Sequence, residues 1–144
     1  MLQKVNFGNA SVSQLLECDL VAPTIDVNSS SIDLKEHDGC LFIVGVGESN
    51  DTLSGSVKIE LEVETSDDDS TWADAADADI SSSVTGTNTG TFGVIDGAAD
   101  DAAVYTTAYV GRERYARVVV NVTGTHTNGT PYYIAAIRTR DKYA

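Results

Sequence analysis

The stretch Ser56–Thr65 constrains the fold more than any other part of the chain. Within it Val57, Ile59, Leu61 and Val63 alternate with Lys58, Glu60, Glu62 and Glu64. Successive side chains of an extended strand point to opposite faces, so the aliphatic residues share one face and the charged residues the other. Wound as a helix, the same residues would scatter around the circumference. The segment therefore reads as a half-buried strand. Its three glutamates repel one another unless that face is solvated or paired with bases. The expected mates are arginines on an adjacent strand, where a directly opposed charge pair contributes roughly 0.2–1 kcal/mol.

A second alternation runs through Arg114–Val122, with Tyr115, Arg117, Val119 and Asn121 on one face and Ala116, Val118, Val120 and Val122 on the other. Val104–Val110 precedes it across Gly111-Arg112-Glu113, and the spacing predicts a hairpin. Pro131–Thr139 gives a final strand after the turn-rich Thr123–Thr130. Further strands are expected at Ser31–Leu34 and Cys40–Val46, separated by the turn Glu36-His37-Asp38-Gly39, with Asn50–Gly55 linking onward. Only Thr71–Ile80 offers a helical turn or two. Ser81–Gly93, rich in Ser, Thr and Gly, reads as a long loop or ribbon. The first 25 residues show no clean period and are expected to form an N-terminal arm or first edge segment, placed to pack on another chain. Short strands at this spacing predict a single antiparallel β-sandwich over 26–144, jelly-roll or immunoglobulin-like, with no internal repeat and no second domain.

The chain has 144 residues, the size of one domain with a core that needs no staples. No apolar run reaches the ~20 residues of a membrane helix, and the N-terminus lacks the apolar stretch of a secretory signal, so synthesis in a cytoplasm is expected. Cys18 and Cys40 are compatible with one disulfide but read as free thiols acting as small hydrophobes. Charge is unevenly spread. Residues 1–111 carry 20 acids and 3 bases, and residues 112–144 carry 6 bases and 2 acids, for a net charge of −13. So acidic a surface repels nucleic acid and anionic membranes. The basic end is suited to an acidic partner, including a neighbouring copy.

Candidate chemistry is sparse. Val44-Gly45-Val46-Gly47-Glu48-Ser49-Asn50-Asp51 follows an apolar strand, but Asn50 stands where a dinucleotide loop needs its third glycine, and no helix follows. Ser49 has no base: the residues three before His37 and His126 are Leu34 and Thr123, not aspartates. Asp67-Asp68-Asp69-Ser70 suggests calcium, yet the sixth and twelfth positions counted from Asp67 are Trp72 and Ala78, where an EF-hand needs Gly and Glu. A solvated acidic turn is the simpler reading. Trp72, the only tryptophan, either closes one end of the core or, if exposed, stacks on a sugar. Histidines and cysteines show no zinc spacing. No catalytic residue, metal ligand or cofactor is expected. Arg112, Arg114, Arg117, Arg138 and Arg140 are the only basic cluster. They serve either to neutralise the chain's own acidic strands or to contact another subunit, where arginine is enriched.

The block Tyr109-Val110-Gly111-Arg112-Glu113-Arg114-Tyr115-Ala116-Arg117-Val118 resembles a Y-[IV]-G-x-x-R-Y-x-R-V pattern of small head-associated proteins of tailed bacteriophages. In those proteins it tends to follow an alternating strand that ends in an acidic turn and a Trp or Phe, as Val57–Val63 and Ser66–Asp74 do here. The matches span Ser56 to Val122. The resemblance implies an antiparallel sandwich on a virion, present in symmetry-related copies and without catalysis. It points to a capsid decoration (cement) protein on the outer head surface, bound to the major capsid protein and to copies of itself. Tyr109 and Tyr115 would then supply amphipathic contact area beside the arginines. Gly111 would allow the reversal, and a core of Val57, Ile59, Leu61, Ala116, Val118 and Val120 follows. The alternatives are a carbohydrate-binding module on a fibre or spike, and a neck or tail component.

Overall fold

Alternation translates directly into two layers. The computed structural model describes the backbone of Ser11–Leu20 and residues 25–139 in full. Its strands are β1 (Ser11–Leu20), β2 (Val27–Asn28), β3 (Ile32–Asp33), β4 (Cys40–Val46), β5 (Lys58–Ser66), β6 (Ala73–Asp74), β7 (Thr91–Ile95), β8 (Ala103–Tyr109), β9 (Tyr115–Thr123) and β10 (Pro131–Arg138). A single 3-10 turn, Asp77–Asp79, is all that forms of the helical turns expected over Thr71–Ile80. Every pairing is antiparallel. One sheet has the order β1-β10-β4-β8. In the other, β9 and β5 lie side by side, β2 and β3 share the free edge of β9, and β6 and β7 share the far edge of β5. The chain is an all-β sandwich.

The interior forms where the two inner faces meet. Ile59, Leu61 and Val63 of β5 and Ala116, Val118 and Val120 of β9 face Phe42 and Val44 of β4 and Ile134 and Ala136 of β10, all fully buried. Burying a large aliphatic side chain contributes about 1.5–3 kcal/mol, so this double row dominates the fold's stability. Val57, expected in the core, is instead half-buried before β5 begins, bridged to Ser54. Cys40 is a free, buried thiol whose pKa burial pushes up to about 12, in keeping with a small hydrophobe.

One expectation is overturned. β8 and β9 do not form a hairpin: β8 pairs with β4 in the first sheet and β9 with β5 in the second. Gly111-Arg112-Glu113 carries the chain across the sandwich. Tyr109 at the end of β8 is fully buried, its hydroxyl donates to the Glu113 carboxylate, and its ring lies against Gly111, where a Cβ would meet the hydroxyl oxygen at 2.2 Å and the ring at 2.4 Å. The reason is long-range. β4 and β5 each have an edge that β8 and β9 complete over seven and nine paired positions, and that pairing outweighs local closure.

Ser81–Gly93 also differs from a plain loop. Its end turns into β7, which pairs with β5 from Glu62↔Thr91 to Ile59↔Ile95. Gly90 permits the approach. Its φ of +75° is in the left-handed region, and a Cβ there would sit 2.8 Å from the Val63 carbonyl oxygen.

Candidate functional site

The glutamate face of β5 is where the structure departs most from expectation. Glu60 and Glu62 are not solvated; they are 2% and 1% exposed. The polar segment before β7 covers them and supplies donors. The Thr87 backbone N–H and hydroxyl donate to Glu60 at 2.8 and 2.7 Å, and Lys58 Nζ lies 3.1 Å from the same carboxylate. Burial alone would raise the Glu60 pKa, but these partners hold it below the ordinary value. Asn88 donates to Glu62 Oε2 at 2.9 Å, and the Asn121 amide donates to the same oxygen. Glu62 Oε1 receives no donor. Burial pushes the Glu62 pKa up, Asn88 and Asn121 pull it back, and the neighbouring Asp74 carboxylate adds to the rise.

Glu64 has the arginine mate expected of the row. It sits opposite Arg117 on β9, whose Nη2 and Nε reach Glu64 Oε2 at 2.6 and 2.8 Å. The Arg117 guanidinium also lies over the Trp72 ring, 4.2 Å from its centroid. Trp72 thus closes no end of the core. It is half-buried beneath a cation.

Two of the remaining arginines, Arg114 and Arg138, converge on Asp33. Arg114 makes a forked pair with Asp33, at 3.0 and 2.7 Å, and lies 4.8 Å from the ring centroid of half-buried Tyr115. Arg138 is half-buried and reaches the Asp33 carbonyl oxygen at 3.4 Å. Arg112 is exposed beside pocket-lining Gly111 and Arg114, and Arg140 lies outside the described residues. Tyr109 is corrected outright: buried in the core, it offers no contact area to a partner.

Arg114 holds the Asp33 carboxyl at about 2. A lowered carboxylate contributes stability that is present above its ordinary value of 3.8 and is lost as pH falls through about 2. Both side chains are nearly half exposed, so Asp33→Asn should cost under about 1 kcal/mol at pH 7. Urea unfolding of the variant and the parent should converge as pH approaches 2, and 1 M salt should shrink the difference at pH 7.

Asp67-Asp68-Asp69 is a self-satisfied turn. Asp68 accepts from the backbone N–H groups of Ser70 and Thr71 and from the hydroxyls of Ser66 and Thr71, which drives its pKa down. Its oxygens are occupied by protein donors. Ser49 is likewise a turn residue: its hydroxyl accepts from Thr130, and its backbone N–H donates to Asp101. His126 is fully buried, with Nε2 at the Lys58 carbonyl oxygen and Nδ1 3.9 Å from Asp51.

A feature that sequence reasoning missed lies on the outer face of the first sheet. Register places Leu41, Ile43 and Gly45 of β4 beside Ala108, Thr106 and Val104 of β8 and beside Ile137, Ala135 and Tyr133 of β10. Val104 is 63% exposed and Tyr133 44% exposed, and none of these nine residues is charged. The Tyr133 ring lies across Gly45, where a Cβ would meet it at 2.0 Å. A cavity of about 330 Å³ opens beside this ring, lined by Val46, Ala103, Val104 and Pro131 among others. The signal was present in the sequence: Cys40–Val46 is apolar at every position, as expected of a strand with both faces covered.

Set against protein families, characterised proteins and solved structures, the chain matches none.

Proposed function

We propose that this chain is a structural protein of a tailed-phage particle, a decoration protein that sits on the outside of the head and binds the major capsid protein. The observation that carries the reading is the contrast between the two outer faces. The second sheet carries Glu60, Glu62, Glu64 and Asp74 on its outer face, whereas strands β4, β8 and β10 of the first present an uncharged, largely apolar face bearing Leu41, Val104 and Tyr133. A chain of net charge −13 in which the adjoining strands β8, β4 and β10 share an outer face free of charge has a surface suited to permanent contact. Several capsid subunits meeting at one seam would engage this face together, so binding is tight only on the expanded shell, where the composite site exists. The acidic remainder keeps decorated particles apart. The motif at Tyr109–Val118 supports the same reading through its resemblance to head-associated proteins.

The carbohydrate-binding alternative is the weaker one, because the Arg117 guanidinium already takes one face of the Trp72 ring.

The test is to mix the purified protein with undecorated expanded heads and to measure the temperature at which DNA is released. Saturating protein should raise it, and Val104→Asp with Tyr133→Asp should abolish both the rise and co-sedimentation. No rise at saturation, or full binding by the double variant, rejects the reading.

A further inference from the structure

We propose that Glu62, Glu64 and Asp74 form a binding site for a hard divalent cation the size of Ca2+, which clasps β6 to β5. Three observations converge. First, the carboxylates are held together by the fold: one oxygen from each lies within 4.8 Å of the others. Glu64 stands directly opposite Asp74 in the β5–β6 pairing, and Glu62 projects from the same face of β5 two residues earlier. Like charges directly opposed across a sheet repel, so this register needs a positive charge to hold it.

Second, Glu62 is 1% exposed and its Oε1 is a buried acceptor that no protein donor reaches. A buried, unmatched acceptor costs roughly 1–3 kcal/mol, more if charged, unless something occupies it. Its partner oxygen is already fixed by the amides of Asn88 and Asn121, so the side chain cannot turn away to satisfy Oε1. Third, Arg117 engages Glu64 through Oε2 alone, so three carboxylates and one guanidinium leave a local charge of about −2 when all are ionised. That matches one divalent ion.

The donor set selects the ion. All ligands are carboxylate oxygens, which favour Ca2+ or Mg2+ over the thiophilic metals. The three oxygens lie no more than 4.8 Å apart, close enough to share one ion, and an irregular carboxylate set on one side suits the flexible coordination of Ca2+ better than the near-ideal octahedron Mg2+ demands. Asp74 is exposed and gives access from solvent. The competing occupant is a single proton shared between Glu62 and Asp74.

The test uses the full chain stripped with EDTA and titrated with CaCl2 by calorimetry at pH 7.5, alongside thermal melts and terbium luminescence excited through Trp72, which lies across Arg117 from Glu64. The expected Kd is about 10−4–10−3 M, in the range of weak oxygen-ligand sites. At about a hundredfold excess over Kd, Ca2+ should raise the melting temperature by roughly 5 °C or more. Asp74→Asn sits at the surface, leaves the core intact and should weaken binding roughly tenfold or more. Glu62→Gln should do the same, while Asp67→Asn in the acidic turn should change nothing. No heat and no thermal shift for the parent would mean the site holds a proton, and the proposal fails. It also fails if Asp74→Asn binds Ca2+ like the parent, since the ions would then lie elsewhere on the acidic surface.

Discussion

Phe42→Ala should lower stability by about 3–5 kcal/mol and bring the melting temperature down by roughly 10–15 °C. Phe42 is 0% exposed, in the middle of β4, which is itself held between β10 and β8. Its ring projects between the sheets toward the row formed by Ile59, Leu61, Val63, Val118 and Val120. Truncation removes the transfer energy of the ring and leaves a cavity that β4, paired on both edges, cannot collapse to fill. A domain of this size is stable by only about 5–15 kcal/mol, so one substitution removes a large share. Phe42→Leu, which keeps most of the volume, should cost far less. Urea unfolding followed by Trp72 fluorescence measures both. Equal, small losses for the two variants would mean that the sheets do not pack through this position.

Arg117→Met should cost about 2 kcal/mol at neutral pH, more than a surface ion pair is worth. Three effects add. The pair with Glu64 is about four-fifths buried on both sides, so removing the guanidinium strands a carboxylate rather than exposing it to water. That carboxylate then faces Asp74 directly, and no protein cation is left beside Glu62, Glu64 and Asp74 to offset their repulsion, so the loss is read in EDTA. The stacking over Trp72 is lost as well. Arg117→Lys should recover only part of the loss, because an ammonium cannot fork to a carboxylate and stack on an indole together. Denaturant melts give the magnitude, and a change in Trp72 emission reports the lost stack. A loss no larger than that of Asp33→Asn would show that the carboxylate cluster does not depend on Arg117.

What the sequence made legible follows from how far each signal reaches along the chain. β5 and β9 were readable because period-two alternation is local: each strand carries its own inside and outside. β4 was bounded at Cys40 and Val46 by an unbroken apolar run. Partner choice was not local. The three residues Gly111-Arg112-Glu113 suit a tight reversal and a crossing between sheets equally well, and only the free edges of β4 and β5 decide between them. β7 was hidden because Gly93 interrupts its pattern; the missing side chain makes room for the Tyr105 ring, 2.7 Å from where a Cβ would stand. The burial of Glu60 and Glu62 was the least accessible feature. Their donors, Thr87 and Asn88, sit 26 or 27 residues downstream in a tract with no periodic signature.

The position of β10 bears on how the molecule is made. It is the last in chain order of the ten strands among the described residues, yet it is wedged between β1 and β4 near the middle of the first sheet. Until it emerges, the nine strands before it must wait with a slot open in their wall, two rows of backbone amides and carbonyls facing each other unmatched. Non-local closure of this kind is slow, and unmatched borders invite strands from neighbouring copies. Chains stopped before Pro131 should therefore clump during synthesis, whereas those that include β10 are sealed by it.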